Sequence, residues 1–233
     1  QKMDITDNEN ISNILKYFKP DIIINCAAYT NVDGSEINKE LAHQVNVEGL
    51  QNLIQLSDIN TYLIQISSDY VFDGANGPYS EDEHTFPVNY YGKTKLEAEN
   101  ILRGTRRKWA IFRPNVLYSS DLFCNGNFFA WVYQSLLKKQ SISVVTDQIS
   151  NPTLTQKFVN CIFQCIIMDY EGILHIGSDD YISRYEFALE IANVFGLDSN
   201  LITKIDTKSL SNTVKSYIAE RPLHNGLIID KIE

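Results

Sequence analysis

Apolar residues follow two alternating rhythms along this chain: short unbroken runs, and longer stretches with a helical period. Residues 21–28, Asp-Ile-Ile-Ile-Asn-Cys-Ala-Ala, are nearly continuous in apolar character. That predicts a strand covered on both faces, as in a parallel sheet. A helix is predicted over residues 36–57, where Leu41, Val45, Leu50, Leu53, Ile54 and Leu56 make an apolar side. Residues 61–67 form the next strand, residues 88–103 a helix, residues 109–113 a strand, and residues 127–139 a helix with aromatic anchors. Residues 141–145 read as a short strand. Residues 155–168, 172–176 and 184–195 then give helix, strand and helix, with Gly196 suited to cap the last. Strands alternating with helices imply an α/β fold, and right-handed crossovers make its parallel sheet doubly wound.

The composition agrees. A chain of 233 residues, 44% hydrophobic and 21% charged, can bury a substantial core as one domain or as a domain with a smaller lobe. A net charge of −9 disfavours a broad nucleic-acid surface but leaves room for a local basic pocket. Cys26, Cys124, Cys161 and Cys165 lack metal-finger spacing, and Cys161 and Cys165 fall on one apolar helical face as small buried thiols. His43, His84, His175 and His224 are dispersed, so they read as structural or surface residues and no metal site is expected. No apolar run reaches membrane-spanning length, and the expected compartment is the cytoplasm.

Candidate chemistry lies in two segments, Ile66-Ser67-Ser68-Asp69-Tyr70-Val71-Phe72-Asp73-Gly74 and Tyr91-Gly92-Lys93-Thr94-Lys95. Ser68 ends a predicted strand, where open α/β sheets place ligands. Tyr91 and Lys95 are four apart on a helix and project from one face. Carbonyl reduction needs a proton donor and a partner for the growing negative charge on oxygen, which a phenol and a hydroxyl can supply. A free phenol titrates near ~10, so a neighbouring ammonium is expected to ease its proton exchange. Each residue also has a plainer reading: Tyr91 and Lys95 as solvated helix positions, Ser68 as a backbone cap, Asp69 as an ordinary turn residue. Gly74 and Gly77 sit with Asn76 and Pro78 in a polar loop and read as a turn, not a phosphate cradle.

These segments resemble the extended short-chain dehydrogenases/reductases, and within them the dTDP-4-dehydrorhamnose reductase branch. The resemblance extends over Asp4-Ile5-Thr6-Asp7, Pro20 to Asp33, Val45-Asn46-Val47-Glu48-Gly49, Asp147-Gln148, Pro152-Thr153, Arg221-Pro222 and Asp230-Lys231. It implies a Rossmann-like doubly wound parallel sheet over residues 1–120 and a smaller C-terminal substrate-binding lobe over 121–233, some of whose segments return to the sheet. The first residues then correspond to the family's second strand and the turn beyond it. A first strand with a Gly-rich turn, and a last helix, are expected to lie outside the chain.

By the same resemblance the activity is reduction of a nucleotide-linked 4-keto-6-deoxy sugar with NADPH or NADH, for deoxysugar synthesis. Ser68, Tyr91 and Lys95 are the implied catalytic residues. Asp4 and Ile5 flank an adenine, Ala27, Ala28 and Tyr29 let the dinucleotide approach the backbone, and Tyr91 and Lys95 complete the cofactor site. The plainer readings are an exposed terminal turn for the first pair and tight strand-to-helix packing for the others. Val32, Ser68, Tyr70, Asn127 and Gln148 fall where the substrate pocket is lined, and Arg113 ends the strand leading into it. The partner is thus a nucleotide sugar, with no nucleic acid and no membrane, and a homodimer is kept open. One departure stands out: Arg113-Pro114-Asn115-Val116-Leu117-Tyr118 lacks the Trp that the family often carries at Val116, so an aromatic platform is lost. The alternative is the non-catalytic regulatory β subunit of methionine adenosyltransferase, which shares both segments and also lacks that Trp.

Overall fold

The computed structural model describes residues 2–119, 127–216 and 219–232. Residues 2–7 form no strand. Instead Asp7 N–H closes a turn onto the Asp4 carbonyl at 3.2 Å, and the Asp7 carboxylate caps α1 (Asn8–Phe18) by accepting from Glu9 and Asn10 N–H. The first strand, β1, is Ile22–Asn25. The single helix expected over residues 36–57 is instead α2 (Val32–Ile37), α3 (Lys39–His43), a π-helical turn (Gln44–Glu48) and α4 (Gly49–Leu56). Asn38, at φ −113° and ψ 63°, breaks it once. The wider turn adds one residue and offsets the helical phase by about 100°. Leu50 and Leu53 are therefore buried, whereas Leu41 on the other side of the offset is 43% exposed.

Further along come β2 (Tyr62–Ile66), a 3-10 turn (Asp69–Val71), α5 (Tyr90–Arg103), β3 (Trp109–Pro114) and β4 (Leu117–Tyr118). Next are α6 (Phe128–Leu137), β5 (Ile142–Val145), β6 (Ile149–Ser150), β7 (Thr153–Leu154) and α7 (Thr155–Ile167). The described chain continues with β8 (Gly172–Ile176), β9 (Ile182–Ser183), α8 (Arg184–Val194), β10 (Ile202–Ile205) and α9 (Thr207–Thr213). Ser183 and Glu186 make a reciprocal capping box at the start of α8, and Gly196 beyond its end takes φ +63°, the left-handed conformation expected of a cap.

The main sheet runs β1-β2-β3-β8, parallel throughout. Side chains alternate across it. Leu63 and Ile111 face a cluster with Ile11, Leu50, Leu53 and Leu102, whereas Ile64 and Phe112 face another with Phe158, Ile162 and Leu174. Helices thus cover both faces, and α7 and β8 belong to this layer. A separate core joins β5 and β10, paired in parallel, to α6 and α8 through Phe129, Val132, Val144, Phe187 and Ile202. The fold is a Rossmann-like doubly wound α/β sheet carrying this second, smaller cluster.

Candidate active site

β2 delivers Ser67 and Ser68 to the C-terminal edge of the sheet, and α5 runs beside it. Tyr91, Lys95 and Glu99 recur every four residues, so one face of α5 presents all three inward. Gly92 permits the approach: a Cβ there would lie 2.1 Å from the Tyr70 carbonyl oxygen. Asn89 fixes the helix start by accepting from Gly92 N–H at 2.9 Å. The Tyr70 and Tyr91 rings meet edge to face at 5.6 Å. Ser68 Oγ donates to Asp69 Oδ1 at 2.8 Å and accepts from Tyr70 N–H at 3.2 Å.

Burial dominates the electrostatics. It pushes the Tyr91 phenol well above its ordinary value, the Asp69 charge adds to this, and hydrogen bonding to Ser68 opposes it. Lys95 Nζ donates to the Ile66 carbonyl at 2.5 Å. Burial lowers it to about 8, against the opposing pull of Glu99 and Cys26. Asp69, read from the sequence as a turn residue, is buried, accepts from Asn225 Nδ2 at 2.7 Å, and is raised by burial to about 6.

Beside Lys95, the segment after β1 exposes Cys26 and Ala27, with Ala28 and Tyr29 half-buried. Asn46, carried by the π-helical turn, holds this segment at both backbone groups. Its Oδ1 accepts from Tyr29 N–H at 2.7 Å, and its Nδ2 donates to Tyr29 O at 3.2 Å and to Thr94 Oγ1 at 2.9 Å. The short side chains leave the backbone open to a flat ligand, and Lys95 has one of its three N–H groups engaged within the described residues. Both features suit a dinucleotide. Asp4 is exposed, with its carboxylate on Thr6. The Ile5 side chain is buried in the core against Gly49.

A cavity of about 600 Å³ opens next to Tyr70, and Asn127, Gln148, Phe128, Trp131, Arg184 and Arg221 also line it. Tyr70, Asn127 and Gln148 are thus brought together. Val32 and Ser68 are not on its wall; Val32 opens α2, next to Asp33, which accepts from Arg221 Nη2 at 2.7 Å and from Ala219 N–H at 2.9 Å. Arg113 stands near the end of β3, as expected, and is not on the cavity wall. Its guanidinium turns away to Glu99, at 3.0 and 2.6 Å, and to His175 Nε2 at 3.3 Å, and is 1% exposed.

The sequence pattern of the RmlD substrate binding domain matches residues 1–233. The chain belongs to that family. A dTDP-4-dehydrorhamnose reductase of Aggregatibacter actinomycetemcomitans is 32% identical over 246 residues, covering 100% of this chain and 81% of that protein. The crystal structure of a dTDP-4-dehydrorhamnose reductase from Bacillus anthracis, in complex with NADP, superposes with a TM-score of 0.91 at 29% identity, covering 99% of this chain and 79% of that one. The methionine adenosyltransferase 2 subunit beta of Rattus norvegicus is 28% identical, covering 100% of this chain and 70% of that protein.

In this RmlD-family chain, several site residues escape sequence reasoning. Asn46 gives no periodic signal, and neither does Trp131, whose ring lies 5.6 Å from that of Phe128 beneath the Arg184 guanidinium. Val116 stands at φ 39°, a strained conformation for a β-branched residue. Cys161 and Cys165 pack beside the sheet as expected, while Cys124 lies outside the described residues. Burial and Arg113 hold His175 down at about 3, so it is neutral. Among the described residues no group of three or more His, Cys, Asp or Glu is placed to hold a metal, and no helix is long and apolar enough to cross a membrane.

Proposed function

We propose that this chain reduces a dTDP-linked 4-keto-6-deoxy sugar with NADPH, as the names of its reductase relatives state for them. The observation that carries this reading is the burial of Ser68, Tyr91 and Lys95 at one sheet edge, beside a cavity lined by Tyr70, Asn127 and Gln148. Lys95 and the open backbone of Ala27, Ala28 and Tyr29 are suited to hold the dinucleotide. A reduced nicotinamide, when bound, supplies hydride to the keto carbon. Tyr91 then gives its proton to the oxygen, Ser68 hydrogen-bonds that oxygen, and Lys95 offsets the charge left on the phenol. The residues around β5, α6 and α8 form the substrate lobe. Arg184 and Arg221 are suited to a diphosphate, and Phe128 and Trp131 offer flat apolar faces to a base or sugar. NADPH oxidation that depends on a dTDP-4-keto-6-deoxy sugar is the test. Absence of turnover, together with capture of a methionine adenosyltransferase, would favour the regulatory alternative instead.

A further inference from the structure

Asp69 has no task in the mechanism above, yet it is 4% exposed and touches Ser68. Its Oδ1 accepts from Ser68 Oγ at 2.8 Å and Oδ2 from Asn225 Nδ2 at 2.7 Å, and the residue's own backbone N–H adds a weaker contact. Among the described residues no salt bridge reaches it. These neutral donors do not replace the hydration of a buried carboxylate, so the neutral acid persists to higher pH than in a free Asp. Because Oδ2 already faces an amide N–H, the proton of that acid sits on Oδ1, against Ser68.

Ser68 has a single hydroxyl hydrogen. While Asp69 is ionised, that hydrogen is held on Oδ1. When Asp69 is neutral it can donate to Ser68 Oγ instead, and the hydroxyl hydrogen is free to turn to another acceptor. We propose that neutral Asp69 is the positioning residue that turns the Ser68 hydroxyl toward the keto oxygen of the substrate. This rests on the reductase reading, which supplies that oxygen. No bond forms or breaks at Asp69, whose proton stays in place while hydride and the Tyr91 proton reach the sugar.

The groups around Asp69 are few. Tyr91 on α5 is opposed by its charge, and Lys95 stands one turn further along that helix. Arg184, at the start of α8, favours the ionised form, and the C-terminal segment supplies the neutral Asn225. Burial outweighs Arg184 and these hydrogen bonds, and leaves the carboxyl titrating at about 6.

The test is kcat/KM of the full-length protein for a dTDP-4-keto-6-deoxy sugar with saturating NADPH, at about pH 5.5 and about pH 7.5. The neutral fraction of an acid titrating near 6 falls roughly 20-fold between those values, and wild-type kcat/KM should fall with it. Asp69→Asn keeps an N–H facing Ser68 at every pH, so it should change less than about threefold. Asn225→Asp sets a second carboxyl against Oδ2 and should move the wild-type fall to higher pH. A wild-type-like fall in Asp69→Asn, or a folded Asp69→Asn inactive at both pH values, overturns the proposal. A carboxyl carbon-13 titration of Asp69 gives a readout independent of turnover, and a midpoint near ~4, that of a free Asp, also overturns it. An active wild type with a flat profile defeats this inference alone. An inert wild type whose Asp69 titrates near 6 defeats the reductase reading and this inference with it.

Discussion

Replacing Glu99 by Gln removes the anion from the most deeply buried ion pair described in the molecule. Glu99 is 0% and Arg113 1% exposed, their two bonds measure 3.0 and 2.6 Å, and Ser67 Oγ also donates to Glu99. With the carboxylate gone, the guanidinium keeps one neutral amide oxygen in place of two charged ones, beside His175 and the face of the Phe72 ring, 5.2 Å away. Stranding a buried charge in this way costs about 3–5 kcal/mol. At about 2–4 °C per kcal/mol for a chain of this size, the melting temperature should drop by about 6–20 °C. Arg113→Met should destabilise by a similar amount, whereas the double variant should be no worse than either single one. Urea unfolding of all four proteins at constant m-value measures this as a coupling energy of at least ~2 kcal/mol. Additivity within ~0.5 kcal/mol would refute the reasoning. Glu99→Gln also withdraws the charge that supports the Lys95 ammonium, so Lys95 should titrate below its present value of about 8. A rate profile unmoved toward acid would break that second link.

Tyr91→Phe should lower kcat by at least ~10²-fold with nucleotide binding nearly unchanged, and equal turnover would remove Tyr91 from the acid role. Lys95 titrates at about 8 in the fold against 10.5 when free. The unfolded chain therefore binds that proton more tightly, so the destabilisation is complete below about pH 8 and fades as pH rises through 10.5. Lys95→Met should accordingly abolish turnover yet raise stability at neutral pH by about 3 kcal/mol, a gain that calorimetry should find vanishing above about pH 10.5. Asn46→Ala should cost about 1–3 kcal/mol and raise the KM for NADPH, and an unchanged KM would separate Asn46 from the cofactor segment. Val116→Gly should stabilise by about 1 kcal/mol in thermal melts by relieving the left-handed conformation, and a loss would show that the Val side chain matters more.

Much of this architecture is legible because burial writes directly into sequence. The run before Asn25 and the segment before Ser67 read as strands, and both align in one parallel sheet, although Ile24 is 40% exposed and β1 is not covered on both faces. Tyr91 and Lys95 are readable from spacing alone, since helical geometry forces them onto one face. Other features are tertiary. Nothing local marks the π-helical turn, whose extra residue rotates Leu41 into solvent and Asn46 toward Tyr29. Arg113 is legible as a strand end, but nothing local reveals its partner on α5, Glu99. Asp69 resembles any turn aspartate because its burial depends on Asn225, far along the chain. Trp131 is similarly hidden, since the lost platform at Val116 gives no hint that another indole enters the cavity from α6.

The rail formed by α5 has a mechanical meaning. Tyr91, Lys95 and Glu99 branch from one helical rod, which sets the spacing of their Cα atoms. Ser68 and Asp69 ride instead on the loop that leaves β2, and Asn89, at the rod's tip, holds the Glu220 carbonyl of the segment that reaches the cavity through Arg221. Motion of that segment would be felt as a displacement of the rod against the loop. The Tyr91 and Ser68 side chains therefore meet from two separate supports, a helix and a loop, and the Glu220 contact ties the first of them to the segment that carries Arg221.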